Sequence, residues 1–249
     1  MAKPDVERLV APNPGPMTLE GTNTYLVGRE PATLIDPGPA DPGHVEAIHA
    51  SARERGGIGV VLLTHGHADH SGALELLDTE PAGPADGETI GGLLALATPG
   101  HSEDHLCFLL PPPASGGEVE ETASVCFSGD LVLGEGSSIV PTRELGGSLA
   151  DYLASLRRLV SLDLDLIYPG HGPPVERPAE KVREYLAHRE DRQRRLAAAL
   201  ERGERSRRRL LDEVWDDVPT ELRGAAEVAM QAHLELLEDQ GRLPTDLEE

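Results

Sequence analysis

Four short apolar stretches in this sequence end the same way, on a turn that leads at once to a histidine or an aspartate. Ile58–Leu63 runs into Thr64-His65-Gly66-His67-Ala68-Asp69-His70, and Leu93–Thr98 into Pro99-Gly100-His101. Ser124–Phe127 runs into Ser128-Gly129-Asp130, and Leu166–Tyr168 into Pro169-Gly170-His171-Gly172. Short β-branched and apolar runs bounded by Gly and Pro read as strands. The repeated glycine before a polar residue suits a tight turn in which backbone comes close to a site. A fold for this chain has to bring these strand ends together.

The residues at those ends are metal-ligand types. His65, His67, Asp69 and His70 lie within six consecutive positions, and His101, Asp130 and His171 complete a set of seven. In a loop leaving a strand, alternate side chains can point to one centre while the next pair serves another. Imidazole and carboxylate together suit zinc and other borderline divalent cations.

Around these motifs the pattern alternates strands and helices. Thr24–Gly28 and Ala32–Gly38 read as an antiparallel hairpin. Pro42–Arg55 carries Val45, Ile48 and Ala52 at helical spacing. The continuous apolar run 58–63 suits a strand buried on both faces. One or two helical turns are expected at 73–77, a connection at 78–92, and strands at 93–98, 106–110 and 124–128. The polar segment 111–123 is expected as a hairpin loop between the last two. A helix fits 148–162 and a strand 166–168. Strands followed by helices, twice over, indicate an α+β sandwich of two sheets covered by helices. From residue 178 the composition turns helical and charged, with helices at 179–201, 206–215 and 220–240 and a short terminal strand starting at 241–243. The reading is a main domain, 1–178, and a small appendage, 179–249, packed on it.

Charge constrains partners. Forty-four acidic residues stand against 22 basic ones, for a formal net charge of −22, and only Lys3 and Lys181 are lysines. Such an excess keeps a protein hydrated at high salt and points to a halophilic source, although a high-GC genome also favours Arg over Lys. It argues against nucleic-acid partners in general. No run of 18 or more apolar residues occurs, so no membrane partner is expected. The first residues lack a basic segment followed by an apolar one, which makes the cytoplasm the expected compartment. Cys107 and Cys126 have no ligand spacing and read as buried free thiols.

The ligand set resembles that of the metallo-β-lactamase superfamily across roughly residues 20 to 175. The resemblance implies a four-layer αβ/βα sandwich with the site on one edge. His65, His67 and His101 would hold a first metal, and Asp69, His70 and His171 a second. Asp130 would bridge both, and Asp36 would orient ligand imidazoles from behind. The implied cofactor is two Zn2+, with Mn2+ or Fe as alternatives in one or both sites. The implied chemistry is attack by a hydroxide shared between the metals, its pKa lowered from about 15.7 in bulk water toward neutrality. Asp69 and Asp130 are the residues assigned to catalysis. The bridging Asp130 is a feature of the glyoxalase II, phosphodiesterase and nuclease branches, which disfavours antibiotic hydrolysis.

Further segments are similar to the β-lactamase-like protein 2 family: Asn23–Gly28, Thr98–His105, Phe127–Gly136, Tyr168–Pro173, Tyr185–Glu190 and Ala232–Leu237. That resemblance implies a small winged-helix-like C-terminal domain, and a single-stranded RNA-like phosphodiester as the first-choice substrate. Nine arginines against four acids between His188 and Arg209 agree with phosphate contacts, while Glu–Arg pairing along a solvated helix accounts for the same segment. His188 itself reads as a packing or capping residue. A glyoxalase II-like thioester hydrolase is the alternative; against it, Leu131–Gly136 lacks the basic residue with which glyoxalase II enzymes hold glutathione. A non-catalytic nucleic-acid-binding module ranks third. The expected partner is thus a small ester or a single-stranded nucleic acid.

Overall fold

The computed structural model describes residues 4–110 and 124–248. The loop expected at 111–123 lies outside them. One sheet holds β1 (Val6–Val10), β2 (Asn23–Val27), β3 (Ala32–Ile35) and β4 (Ile58–Leu62), in that order. The first two pairings are antiparallel and β3–β4 is parallel. The second sheet holds β5 (Thr89–Ile90), β6 (Leu93–Ala97), β7 (Leu106–Leu110), β8 (Val125–Gly129) and β9 (Leu166–Pro169). It too is antiparallel up to its last pair, β8–β9, which is parallel. Parallel neighbours need a long crossover. Helix α1 (Pro42–Arg53) supplies it in the first sheet and α4 (Leu149–Val160) in the second.

Alternation along the strands sorts the side chains into layers. Tyr25, Val27, Ile35 and Leu62 meet Leu93, Ala95, Phe108 and Phe127 between the sheets. Leu26, Leu34 and Val61 point the other way, onto Ile48 and Ala52 of α1. On the far side, Leu96, Cys107, Cys126 and Ile167 pack against Tyr152, Leu156 and Leu159 of α4. The result is the expected helix–sheet–sheet–helix sandwich. Each fully buried Val, Leu, Ile or Phe among them contributes about 1.5–3 kcal/mol.

Both crossover helices start on caps. Asp41 accepts a hydrogen bond from the His44 amide ahead of Pro42, and Ser148 accepts one from the Asp151 amide. Short helices α2 (Ala68–Ser71) and α3 (Leu74–Leu77) follow β4. Two strands, β1 and β5, occur where none was expected. The expectation of burial on both faces for 58–63 holds at the strand's end, where Leu62 faces the other sheet and Val61 faces α1. It needs correction in the first half, where Ile58 and Val60 are half-buried and Gly59 is exposed in this edge strand.

Helix α5 (Pro178–Glu201) belongs to two cores. Its first half places Val182 and Tyr185 in the cluster over α4, and its second half places Leu196 and Leu200 in a separate one. That second cluster is completed by α6 (Arg207–Val214) and α7 (Arg223–Asp239), through Leu210, Trp215, Met230 and Leu237. No strand forms at 241–243; the chain instead meets Ser206 through an isolated bridge at Glu248. No two-stranded wing occurs among the described residues.

Candidate metal centre

Strands β6, β8 and β9 run in one direction, so their carboxyl ends lie on the same edge of the second sheet, and the end of β4 reaches it from the first. All seven expected ligands converge there. His67 Nδ1 lies 2.9 Å from His65 Nε2 and 3.1 Å from His101 Nε2. Nearby, His171 Nε2 lies 3.2 Å from Asp69 Oδ2 and 3.3 Å from His70 Nε2. Asp130 stands between the groups, with Oδ1 3.5 Å from His70 Nε2 and Oδ2 3.7 Å from His101 Nε2.

These spacings fit cations. Tetrahedral zinc with bonds of about 2.0–2.1 Å separates its ligand atoms by about 3.3 Å. Within the trio His65, His67, His101 and the trio Asp69, His70, His171, all ligand atoms lie within 4.8 Å of one another. Imidazole nitrogens and carboxylate oxygens converge on both gaps, and the buried Asp130 Oδ1 has no hydrogen-bond partner among the described residues. A buried acceptor left this way is costly unless something else satisfies it.

Hydrogen bonds from behind hold the imidazoles in place. Asp36 accepts from the Thr64 amide and hydroxyl, both at 2.7 Å, and lies 3.0 Å from His70 Nδ1. His65 Nδ1 is 3.1 Å from Thr64 Oγ1, and His101 Nδ1 is 2.8 Å from the Ile139 carbonyl. His171 Nδ1 faces the Gly21 carbonyl at 3.3 Å. With Nδ1 engaged, Nε2 is left for the site in His65, His70, His101 and His171; His67 presents Nδ1 instead. Asp36 therefore sits where the resemblance placed it, with φ at +50°.

Charge in the cluster is already sorted. Burial depresses the pKa of His65 and His101, leaving both neutral. Burial works against the charge of His171 too, but Asp130 and Asp69 outweigh it and push the pKa up to about 9. His70 is raised in the same way, against burial, by Asp130 and Asp36. Asp130 is held well below the usual carboxylate range despite its burial, by His70 and His171.

Some contributors had no role in the sequence reading. His105 is buried behind the cluster, its ring centroid 5.3 Å from that of His65. Its Nδ1 lies 2.9 Å from Thr98 Oγ1, its Nε2 has no partner, and burial takes its pKa down to about 3. The signal was its place four residues after His101. Asn23 donates to the carbonyls of Pro169 and Gly172, pinning the His171 turn. A cavity of about 560 Å3 opens over the cluster, lined by Asp69, Asp130 and His171 at one end and by Trp215, Leu222 and Ala226 at the other. His188, Arg189 and Arg192 of α5 also line it.

The sequence model of the metallo-β-lactamase superfamily matches residues 17–88, the segment that carries His65 to His70. A β-lactamase-like protein 2 homolog of Caenorhabditis elegans is 34% identical over 256 residues, spanning 89% of this chain and 80% of that protein. The chain belongs to the metallo-β-lactamase superfamily. The lactamase-like protein adaB of Aspergillus niger is 37% identical over 219 residues. That match takes in 79% of this chain and only 64% of the fungal protein's length. Among solved structures, the metallo-β-lactamase family protein TTHA1429 of Thermus thermophilus superposes with a TM-score of 0.74 at 23% identity, covering 95% of this chain and 94% of that one. TTHA1623 in a di-iron-bound form is 28% identical with a TM-score of 0.52, over 70% and 96% of the two chains. Its donor set is suited to divalent cations, with two trios of close ligand atoms and Asp130 beside both.

Proposed function

We propose that this chain is a metal-dependent hydrolase that cleaves a small carboxylic ester or thioester with a mainly apolar body. The observation that carries the reading is the cavity. It joins the ligand cluster directly to a wall of Trp215, Val218, Leu222 and Ala226, so a substrate's scissile group and its apolar part have places in one continuous space. The arginine-rich segment, which supports a phosphodiester in the sequence, carries less weight in the fold. Six of its nine arginines are paired: Arg192, Arg194, Arg195, Arg202, Arg205 and Arg209 each have an Asp or Glu partner. Trp215 is the chain's one tryptophan, so a run of stacking platforms for bases is lacking as well.

His65, His67 and His101 would hold one cation, Asp69, His70 and His171 the other, and Asp130 would join them. When bound, such a pair supplies Lewis acidity and generates a nucleophile from water at neutral pH. Zinc in both sites is the proposal from the His and Asp donors; iron, as in TTHA1623, and manganese are the alternatives, separable by elemental analysis of purified protein. Asp69, partly exposed beside His171, is placed to orient water and take up its proton. Asp36, Thr64 and the Ile139 carbonyl keep the imidazoles aligned throughout.

A hydrolysis panel at high salt tests this. It should contain p-nitrophenyl hexanoate, S-lactoylglutathione, bis-p-nitrophenyl phosphate and single-stranded RNA, with Asp130→Asn as the control for metal-dependent turnover. Ester or thioester cleavage is expected to exceed phosphodiester cleavage. Phosphodiester cleavage without ester cleavage would reverse the assignment.

A further inference from the structure

Arg189 is only 4% exposed, yet none of the described carboxylates lies within 4.0 Å of it. Its neighbour one turn on, Arg192, is equally buried but is paired with Asp217. Arg189 Nη2 donates to Ser137 Oγ at 2.9 Å and to the Ser138 carbonyl. Nη1 makes no hydrogen bond among the described residues, and the buried Nε has no partner. The ring of Tyr152, 5.7 Å away, gives the guanidinium a partial counterweight. A buried guanidinium without an anion is costly, and in a chain with twice as many acids as bases it is conspicuous. The other carboxylates lining the cavity do not balance it: two divalent cations would more than neutralise Asp69 and Asp130, Asp217 is paired with Arg192, and the exposed Glu135 makes no ion pair with it. Arg189 lines the same cavity as those ligands.

We propose that Arg189 is a carboxylate-binding subsite: the substrate carries a carboxylate away from its scissile bond, and that group pairs with Arg189. Charge balance selects a monoanion. Arg192 is already neutralised by Asp217, so one unit of positive charge on this wall lacks a partner. The inference deepens the ester or thioester reading and rests on it for the word substrate, but the subsite itself can be read without turnover.

Two measurements on the metal-loaded protein test it. The first compares hexanoyl with adipoyl thioesters of N-acetylcysteamine, and the hexanoyl thioester of N-acetylcysteamine with that of 3-mercaptopropionate, placing the carboxylate on either side of the scissile bond. Wild type is expected to favour the charged member of one pair by about tenfold in kcat/KM, the scale of a hydrogen-bonded charge pair. In Arg189→Gln the ratio should fall to about one, and Arg189→Lys should recover part of it. The second titrates dicarboxylates, succinate through suberate, against monocarboxylates of equal length, followed by fluorescence of Trp215 in the cavity wall. Both series offer one carboxylate to the metals, so only the dicarboxylate preference reports Arg189. It should be about tenfold in wild type and absent in Arg189→Gln. Ser137→Ala, which removes one anchor and keeps the charge, should retain the preference.

If Arg189→Gln slows charged and neutral thioesters equally, Arg189 only holds the segment behind His101 and the subsite is refuted. Absence of dicarboxylate preference in wild type refutes it too. A preference that persists while no ester is cleaved leaves the subsite standing and overturns the proposed function.

Discussion

Gly170 lies in the turn between β9 and His171, and its missing side chain leaves the room that the ligands occupy. A Cβ built there would sit 2.5 Å from Asp130 Oδ1 and 2.7 Å from His70 Cε1. Real contacts of this kind stay above 3.0 Å, so in Gly170→Ala the carboxylate has to retreat by about 0.5 Å and the imidazole by about 0.3 Å. Metal–ligand distances hold to within about 0.2 Å, so neither ligand can keep its place. Gly170 has no positive φ, so the substitution adds no dihedral strain, and its near backbone neighbour, the Gly129 carbonyl carbon at 3.1 Å, has to give only slightly. The fold should persist while metal binding weakens by roughly 10–100-fold, the range for disturbing groups around a ligand set. Competition with a chromophoric chelator reads the affinity of both cations, and elemental analysis reads their number. Gly224→Ala, in α7 with nothing within 4 Å of its Cβ, is the control, expected to stabilise by about 0.4–1 kcal/mol. If Gly170→Ala holds two metals at wild-type affinity, the placement of Asp130 between the two groups is wrong.

Two further outcomes follow from residues away from the centre. Buried Arg55 donates to Asp5 at 2.8 Å and to Glu7 at 2.9 Å. Burial raises the Asp5 pKa, but hydrogen bonds from Arg55 and Arg29 outweigh it; in Glu7 the Arg55 hydrogen bond is the largest effect, and both end below their ordinary values of 3.8 and 4.5. Folded-state values depressed in this way add stability above the unfolded pKa, and lose it as pH falls through the folded one. The Tm difference between wild type and Arg55→Met should be full at neutral pH and shrink below about pH 4; a constant difference would refute the ion-pair account. Cys107 and Cys126 are fully buried, and the Cys126 thiol is pushed up by its neighbour Cys107 and by burial. Neither should react with a thiol reagent in the native state, and both should in denaturant.

The ligand set was legible because each member follows a strand whose apolar run and glycine turn are written locally. His65 and His171 are 106 residues apart in the chain, yet both positions are marked by what immediately precedes them. Asp36 needed the resemblance, since Asp-Pro-Gly also makes an ordinary turn. The partial exposure of β4's first half has a physical cause: an apolar run reports hydrophobicity, and only sheet order says which strand stands at the edge. The strands β1 and β5 were missed because Val6-Glu7-Arg8-Leu9-Val10 mixes charges into an edge strand, and because Thr89–Ile90 is too short to show alternation. Helical pairing of arginines was legible and occurs once within α5, between Arg194 and Asp191, but the rest of the arginine pairing was out of reach. Their partners Asp216, Asp217 and Asp246 come from later turns and not from helical spacing along α5.

Helix α5 is 24 residues long, about 36 Å, and runs unbroken from the core over α4 into the core with α6 and α7. A rod fixed at both ends has no joint. The wall that carries Arg189 and Arg192 therefore cannot swing outward as a hinged door. Traffic into the cavity is left to its other lining segments, among them Pro16, Met17 and Leu19 before β2, where Met17 is half exposed.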